Sequence, residues 1–392
     1  MNYWKDDMPP HTAAKHRILK HYLLQWFPIL GKYNKHLAYV DGFAGQGVYS
    51  KGEHGSPIIA LNAANMYADN MSLDIDMWFI EKDRDRAMIL KSQIENFSGR
   101  LSDHLHYKVI NSEFEKEFPQ IVETLTSDGS MPPTFAFIDP FGYSIKMTTL
   151  LDFLKNKKCE ILVTFMSSKL SRFIDWENLS HNVTVDELFD DTSWRSLASN
   201  GKKKISALTE LYVKRLKSNH VKYVKPFHMH NHSYPVYSLI FATNHPYGLN
   251  AMAGSMKNIG VDDDCQFFDA NGPKQTGIYQ YMDKTCLLKH PAELIFQKFS
   301  GTTTSVEKVM TFVNSNTDHV FDKRVLGQMA DGLAPRITMV KTRHGAVARK
   351  NSYPDGCKIT FAHKPGTAGN GSRNAPVQET LDAWSGPGLA HG

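Results

Sequence analysis

Between residues 37 and 166 the sequence alternates short apolar segments with longer amphipathic ones, and this pattern constrains the fold more than any other feature. The apolar segments predict strands at residues 37–41, 77–80, 107–110, 134–138 and 160–166. Segments with apolar residues three and four apart predict the intervening helices, at residues 57–68, 83–97, 113–125 and 145–155. Strands that alternate with helices form parallel sheets covered on both faces, so we predict an α/β fold.

The segments that flank this alternation extend the prediction. Residues 12–33 have helical spacing, with Thr12 as the predicted N-cap. Residues 205–216 predict another helix, and two strand-like segments, residues 221–229 and 236–242, follow with a short turn between them. A short turn permits antiparallel pairing, whereas a parallel neighbour needs a crossover. A mostly parallel sheet with one antiparallel strand is the Rossmann-like class I methyltransferase variant of the doubly wound fold.

The division of the chain follows from these changes in pattern. We assign an N-terminal helical segment to residues 1–36 and a methyltransferase-like Rossmann domain to residues 37–258. Within this domain, the aromatic-rich residues 167–200 are predicted to form an inserted cap above the sheet. In the C-terminal region, residues 259–363, predicted helices precede two strands around a basic turn, which resembles a winged helix. Residues 364–392 are rich in glycine, proline and serine, and we expect them to be disordered.

Composition narrows the classes of function. The net charge of +5 is compatible with a nucleic-acid partner without establishing one. The four cysteines form no C-x-x-C pair, so the spacing typical of zinc ribbons and iron–sulfur sites is missing. No apolar stretch approaches the roughly 20 residues that span a bilayer, so we predict no membrane segment. The polar N-terminus and scattered cysteines lead us to expect a cytoplasmic protein.

A glycine-rich turn follows the first predicted strand, with the sequence Asp41-Gly42-Phe43-Ala44-Gly45-Gln46-Gly47. Glycines in such a turn allow positive φ and let a ligand approach the backbone closely. The spacing is not the G-x-G-x-x-G of dinucleotide sites. The order D-x-F-x-G-x-G instead resembles the first motif of class I methyltransferases, which implies that the turn holds the methionine end of S-adenosylmethionine. The predicted cofactor residues of this turn are Asp41, Phe43, Gly45 and Gly47.

Polar residues also end the next two strands. Glu81 closes the second strand, where a carboxylate can accept hydrogen bonds from both hydroxyls of a ribose. Asn111 and Ser112 follow the third strand, where folds of this kind contact the adenine. The alternative is a tight turn with a chance acid nearby.

The fourth strand ends in Asp139-Pro140-Phe141-Gly142-Tyr143. This segment resembles the D-P-P-Y motif of amino-methyltransferases, and its D-P-F-G form resembles a tRNA guanine-N2 methyltransferase motif. A carboxylate and a backbone carbonyl can accept the two N–H groups of a base amine, which localises electron density on its nitrogen. Proline fixes the backbone, and an aromatic ring can stack on the base. The predicted catalytic residues are Asp139, Pro140, Phe141 and Tyr143; the alternative is that Asp139 only caps the following helix.

Several segments together resemble the three-Cys-motif partner proteins. They are Thr12 with Lys15-His16 and Ile18-Leu19, Val40 to Gly47 with Tyr49, Gly55-Ser56-Pro57, Phe137 to Gly142, and Phe241-Ala242-Thr243-Asn244-His245-Pro246 with Gly248-Leu249. The resemblance runs from Met8 to Lys257 and more weakly to Phe361. It implies a methyltransferase-like fold and a radical-S-adenosylmethionine-like iron–sulfur protein as partner, whose cysteines give the family its name.

Lys15-His16 and the glycine turn are also similar to a large-subunit rRNA adenine-N6 methyltransferase. That similarity implies a nucleic-acid substrate, DNA or RNA, by analogy of fold alone. Such families are often encoded in phage-related or mobile regions, so modification, repair or defence are the expected settings. Lys15 and His16 are the predicted substrate-binding residues, although an exposed helix face explains them equally well.

Two patterns suggest metal chemistry less strongly. His228, His230 and His232 alternate, so a strand would place them on one face, where three imidazoles can bind zinc. Histidines that end an exposed hairpin are the commoner explanation. The acidic run 262–264 is typical of a solvated loop or a helix cap, and a metal-dependent nuclease is the minor alternative. We therefore predict no metal site, and the rival to catalysis is a non-catalytic partner of the iron–sulfur protein.

Overall fold

The computed structural model describes residues 8–96, 101–127, 129–140, 142, 145–173, 185–197, 201–217, 221–231, 234–259, 266–268, 289–316, 319, 321–331, 335–349 and 351–364. Its strands are β1 (His36–Asp41), β2 (Asp74–Glu81), β3 (Leu105–Asn111), β4 (Thr134–Ile138), β5 (Cys159–Phe165), β6 (Tyr223–Asn231), β7 (Tyr234–Thr243), β8 (Gln266–Phe268), β9 (Thr303–Ser305), β10 (Ile337–Lys341) and β11 (Lys358–Phe361). The helices are α1 (Pro10–Gly31), α2 (Ser56–Met71), α3 (Arg84–Glu95), α4 (Phe114–Thr126), α5 (Met147–Leu154), α6 (Ser167–Phe173), α7 (Gly201–Lys217), α8 (Pro246–Lys257), α9 (Lys289–Phe299), α10 (Val306–Asn316) and α11 (Arg324–Ala330).

The large sheet has the order β3-β2-β1-β4-β5-β7-β6-β8. Strands β1 to β5 pair in parallel, whereas β7 runs antiparallel to both of its neighbours, β5 and β6. The predicted Rossmann-like class I methyltransferase sheet, mostly parallel with one antiparallel strand, is confirmed. The strand order reverses between β1 and β4, and open α/β sheets bind their ligands at such a reversal, beyond the carboxyl ends of the strands.

The central strands are apolar throughout because helices cover both faces of the sheet. Successive residues of a strand point to opposite faces, and this alternation assigns them to two separate hydrophobic clusters. Tyr39 and Phe135 face one cluster, with α1, α2 and α8, whereas Val40 and Ala136 face the other, with α4, α5 and α7. The result is a three-layer sandwich whose carboxyl edge holds the loops that follow β1, β2 and β4.

Helix α1 buries one side against the sheet and its neighbours, with Ile18, Tyr22 and Trp26 in the first cluster. It begins two residues before the predicted N-cap. Pro9 takes the N-cap position and Pro10 opens the helix, so the backbone amide of Thr12 already donates to the carbonyl of Pro9. Proline suits the first helical position because its missing N–H would have no partner there. The prediction of Thr12 as N-cap was therefore wrong.

Of the predicted insertion, the described residues 185–197 include aromatic side chains that are buried in the core. Phe189 and Trp194 are buried in the second cluster, and the Phe189 ring lies 6.1 Å from both Phe165 and Tyr212. Arg215 of α7 donates to the carbonyls of Phe189 and Asp190, which fixes the segment against that helix.

The C-terminal region has its own core, the third hydrophobic cluster, and a small sheet of order β10-β11-β9. Helix α9 precedes β9, helices α10 and α11 follow, and the β10–β11 hairpin ends the region, an order like that of a winged helix. Its contact with the Rossmann domain runs through α8 and α10, where the Asn314 amide donates to Asn250. Within the described residues, no helix is long and apolar enough to cross a membrane.

Candidate functional site

The glycine turn begins where β1 ends, at the reversal of strand order. Its backbone is tied to both neighbouring strands: the amide of Gly42 donates to the carbonyl of Phe137 at 2.9 Å, and the amide of Ala44 donates to that of Ile80 at 2.9 Å. Gly45 and Gly47 have φ values of 65° and 86°. Residues with a side chain adopt such a backbone conformation only at a cost in free energy. A Cβ on Gly47 would lie 2.7 Å from Leu90, so the turn is packed as well as bent.

Glu81 ends β2 and points at this turn. Its Oε2 accepts from the amide of Gly45 at 2.8 Å, and its Oε1 accepts from the amide of Asp83 at 2.8 Å. Each carboxylate oxygen has a second lone pair, so Glu81 retains capacity for a ligand hydroxyl while it shapes the turn. The side chain thus has a structural role next to its predicted cofactor role.

Asn111 and Ser112 support the end of β2. The Asn111 side-chain amide donates to the carbonyls of Glu81 and Lys82 at 3.0 and 2.9 Å, and the amide of Ser112 donates to that of Glu81 at 3.2 Å. Both N–H groups of the Asn111 side chain are therefore occupied by backbone carbonyls. Its side-chain oxygen is the atom left to serve the predicted adenine contact.

Asp41 is completely buried beneath the turn. Its Oδ1 accepts from the amide of Phe43 at 3.3 Å, and its Oδ2 has no hydrogen-bond partner among the described residues. Burial raises the pKa of Asp41 to about 7, against the opposing effects of the Ser56 hydroxyl and the Phe43 amide. The hydroxyls of Ser56 and Tyr39 lie close enough to act on the carboxyl, yet neither completes a hydrogen bond to Oδ2. Incomplete hydrogen bonding of a buried carboxyl is uncommon in a core and is found more often at binding sites.

Phe43 is only partly buried, and its ring stacks on Phe114 at a centroid distance of 5.4 Å. A Cβ on Gly42 would lie 2.7 Å from the same Phe114 ring, so no larger residue fits between the turn and α4. The structure therefore places Phe43 in the wall of the turn, where one side of the ring has a packing partner.

Helix α1 brings Lys15 and His16 to the end of β4. Lys15 is 5% exposed, forms an ion pair with Asp139 through Oδ2, and lies 5.4 Å from the centre of the Tyr237 ring. The ion pair offsets the cost of burying the lysine charge, and the aromatic face adds a cation–π contact. The two predicted substrate residues and the predicted catalytic acid therefore form one cluster.

His16 is buried beside this pair, 5.9 Å from the Tyr49 ring. Burial, together with the charge of Lys15, lowers the pKa of His16 to about 3, so the imidazole is neutral near pH 7. Its Nδ1 has no partner among the described residues. An imidazole nitrogen buried without a partner can accept from, or donate to, a bound molecule, depending on its tautomer.

The remaining residues of the predicted motif are partly described. Pro140 is buried immediately after Asp139, whereas Phe141 and Tyr143 lie outside the described residues. Sequence reasoning did not single out three residues that the fold brings to this edge. Tyr49 follows the glycine turn within a segment that carries the family resemblance, which is a usable signal. Tyr237 on β7 and Ser167, whose buried hydroxyl has no described partner, have no such signal in the sequence.

The metal alternatives find little support in the described part of the chain. No group of three metal-ligating side chains occurs there. His228 instead shares a hydrogen bond with the Ser238 hydroxyl at 2.9 Å, and His232 and residues 262–264 lie outside the described residues.

No protein-family model matches the sequence, and no curated protein does either. Protein LPL1258 from Legionella pneumophila is similar over 65% of this chain and 92% of its own, at 13% identity and a TM-score of 0.39. Trm1 from Pyrococcus horikoshii, in complex with S-adenosyl-L-methionine, is similar over 66% and 62%, at 11% identity and a TM-score of 0.35. Human methyltransferase-like protein 13, in complex with SAH, is similar over 63% and 91%, at 13% identity and a TM-score of 0.29. Likenesses this distant carry no argument about activity, which depends on the site itself.

Proposed function

We propose that this protein is an S-adenosylmethionine-dependent methyltransferase that acts on an exocyclic amine of a nucleic-acid base. The observation that carries the proposal is the convergence of the glycine turn, Glu81 and Asp139 on one edge of the sheet, at the reversal of strand order. A cofactor loop and an acid that orients the substrate must lie side by side for methyl transfer, and here they end adjacent strands, β1 and β4.

The residues of the turn fit an adenosyl cofactor. Gly45 and Gly47 keep the backbone free of side chains, and Glu81 retains lone pairs for a ribose. Asp41 Oδ2 and His16 Nδ1 are buried polar atoms without described partners, which a polar ligand would satisfy. The cofactor, when bound, supplies a methyl group on a positively charged sulfur.

The role of Asp139 follows from its two oxygens. Oδ2 is engaged by Lys15, and no described residue donates to Oδ1. The side chain is 24% exposed, so Oδ1 can accept an N–H of a base amine that enters from solvent. Accepting that hydrogen bond raises electron density on the amine nitrogen, and Lys15 holds the carboxylate in place.

Binding and transfer are tested separately. Isothermal titration of the folded protein with S-adenosylmethionine should show one site, and the absence of binding would end the proposal. Asp139→Asn should bind the cofactor as the native protein does but transfer radiolabelled methyl groups to bulk RNA or DNA at least about 100-fold more slowly. Equal transfer rates would remove Asp139 from the chemistry.

One observation favours the rival function, a non-catalytic partner of an iron–sulfur protein of the three-Cys-motif kind. Lys15 already neutralises the charge of Asp139. A carboxylate that never contacts a substrate would need such a permanent partner. Copurification of a stable pair with that protein, without methyl transfer to any nucleic acid, would favour this alternative.

A further inference from the structure

The β10–β11 hairpin of the C-terminal region, residues 337–361, has an unusual distribution of charge. Four of its cations, Lys341, Arg343, Arg349 and Lys358, are exposed and form no ion pair among the described residues. The sequence from 336 to 354 contains no aspartate or glutamate. We call these four residues the basic hairpin cluster.

The cluster contains a like-charge pair that folding alone does not favour. Lys341 and Lys358 lie directly opposite each other in the antiparallel register. Like charges in directly opposed positions destabilise a hairpin, whereas opposite charges there stabilise it. The arrangement becomes favourable when an anion lies between or above the two ammonium groups.

Two other cations of the same region are matched with acids. Lys323 pairs with Asp355 at 3.1 Å, and Arg336 pairs with Glu293 at 2.8 Å. Asp355, the one acid within the hairpin, is thus paired with Lys323, and no described acid pairs with the four cations of the hairpin cluster. This favours a partner that supplies several negative charges.

The hairpin is held firmly enough to present these charges in a fixed pattern. In the turn, the amide of Thr342 donates to the carbonyl of Ala346 at 2.7 Å, and the amide of Gly345, with φ of 87°, donates to that of Thr342 at 2.9 Å. Beneath it, Ile337 and Ile359 are anchored in the third hydrophobic cluster. A hairpin backbone that is already ordered loses little conformational entropy when it binds a regularly charged surface.

We propose that the basic hairpin cluster binds the phosphate backbone of a nucleic acid. A backbone carries one negative charge at every nucleotide, and lysine and arginine side chains neutralise such charges with release of counterions. The inference deepens the proposed function, on which it rests for the class of substrate. The C-terminal region would then bind the nucleic-acid strand that carries the base to be methylated.

The test is a salt titration of binding, without cofactor, to a fluorescent 20-bp DNA duplex and to an RNA duplex of the same sequence. The hairpin variant replaces all four cations: Lys341→Gln, Arg343→Gln, Arg349→Gln and Lys358→Gln. The matched control removes four exposed lysines of the Rossmann domain: Lys91→Gln, Lys108→Gln, Lys116→Gln and Lys155→Gln. Both variants change the net charge by the same amount.

We expect the hairpin variant to bind about tenfold or more weakly at 0.1 M salt than the native protein. On DNA its log–log salt slope should fall in magnitude by about 0.9 for each phosphate that the variant no longer neutralises, and the control should stay near the native value. The nucleic acid for which the hairpin variant loses more affinity, DNA or RNA, is the one that the hairpin binds.

Three results would overturn the inference: no binding to either duplex, equal losses in the two variants, or losses confined to phosphatidylserine vesicles used as a third probe. Failure of the proposed function is separable. Hairpin-dependent binding by the native protein without any methyl transfer would refute the methyltransferase alone. Methyl transfer with unchanged binding by the hairpin variant would refute the hairpin inference alone.

Discussion

Two buried carboxylates lie at opposite ends of the same sheet, and their surroundings differ. Glu160, near the amino end of β5, accepts from the Tyr22 hydroxyl at 2.7 Å, the Trp26 indole N–H at 2.8 Å and the Thr243 hydroxyl at 2.5 Å. Asp41, at the carboxyl end of β1, accepts one long backbone hydrogen bond and has an oxygen without a described partner. The chain completes the polar contacts at the amino end and leaves them incomplete at the carboxyl end, where ligands bind in folds of this kind.

Helix α1 joins the two ends. Lys15 and His16 lie at the carboxyl edge, whereas Tyr22 and Trp26 lie over Glu160. At about 1.5 Å per residue, the eleven steps from Lys15 to Trp26 span about 16 Å, close to the length of a five-residue strand. Helix α1 is therefore held by hydrogen bonds to Glu160 at the amino end of the strands, and it places Lys15 and His16 at the carboxyl end.

The largest loss of stability should come from removing Glu160, the carboxylate whose hydrogen bonds are complete. Glu160→Ala leaves three buried donors without an acceptor, and we expect a loss of roughly 5 kcal/mol in the free energy of unfolding, measured by urea denaturation. A loss below about 1 kcal/mol would show that Glu160 is not the anchor of α1. Asp41→Asn, at pH 8, should by contrast leave the protein as stable as before or more so.

The second-largest effect is a dependence of stability on pH that arises from the titration of Asp41. Its folded pKa of about 7 exceeds the ordinary value of 3.8, so the folded protein retains a proton that the unfolded chain releases. Stability should therefore fall as pH rises from 4 to 7, by an amount on the order of 3 kcal/mol.

The measurement is the difference in unfolding free energy between the native protein and Asp41→Asn at each pH. Taking the difference cancels other titrations, among them that of His16, whose lowered pKa of about 3 acts with the opposite sign. If this difference is constant from pH 4 to pH 8, Asp41 does not titrate in that range.

A smaller loss of stability is expected from substitutions of Gly47 and Gly52, and comparing the two separates the cost of backbone conformation from the cost of packing. Gly47 and Gly52 both have φ of 86°, but a Cβ on Gly47 would meet Leu90 at 2.7 Å, whereas one on Gly52 would meet nothing within 4 Å. Gly52→Ala should cost about 1 kcal/mol, and Gly47→Ala about 2 kcal/mol more, in thermal or urea unfolding. Gly47→Ala should also weaken S-adenosylmethionine binding while Gly52→Ala does not; equal effects would place the turn outside the site.

The smallest change in stability should come from His16→Phe. The imidazole Nδ1 has no described partner to lose, so unfolding should shift by less than about 1 kcal/mol. If His16 binds substrate, the Michaelis constant for the nucleic acid should rise about tenfold, because one polar contact is worth about 1.4 kcal/mol. A large loss of stability with an unchanged Michaelis constant would make His16 a core residue.

Local pattern was sufficient for much of the architecture. The five parallel strands were predicted within a few residues of their observed bounds, because all of them except the edge strand β3 are largely buried apolar runs. Helix α8 was missed because its start, Pro246-Tyr247-Gly248, has the composition of a turn. The helix forms because its apolar residues, such as Leu249 and Met252, are buried in the first cluster, a contact that local propensity does not contain.

The sequence by itself determined the order of strands and helices, the glycine turn and the acids that end β2 and β4, since each depends on residues only a few positions apart. Only the tertiary structure decided that Lys15 pairs with Asp139, 124 residues away, and that Tyr237 packs beside them. It also decided that Glu160 has three donors whereas Asp41 has an unused oxygen. Periodicity reports which face of an element is buried, but the partner that a buried polar atom meets is set by how distant elements pack.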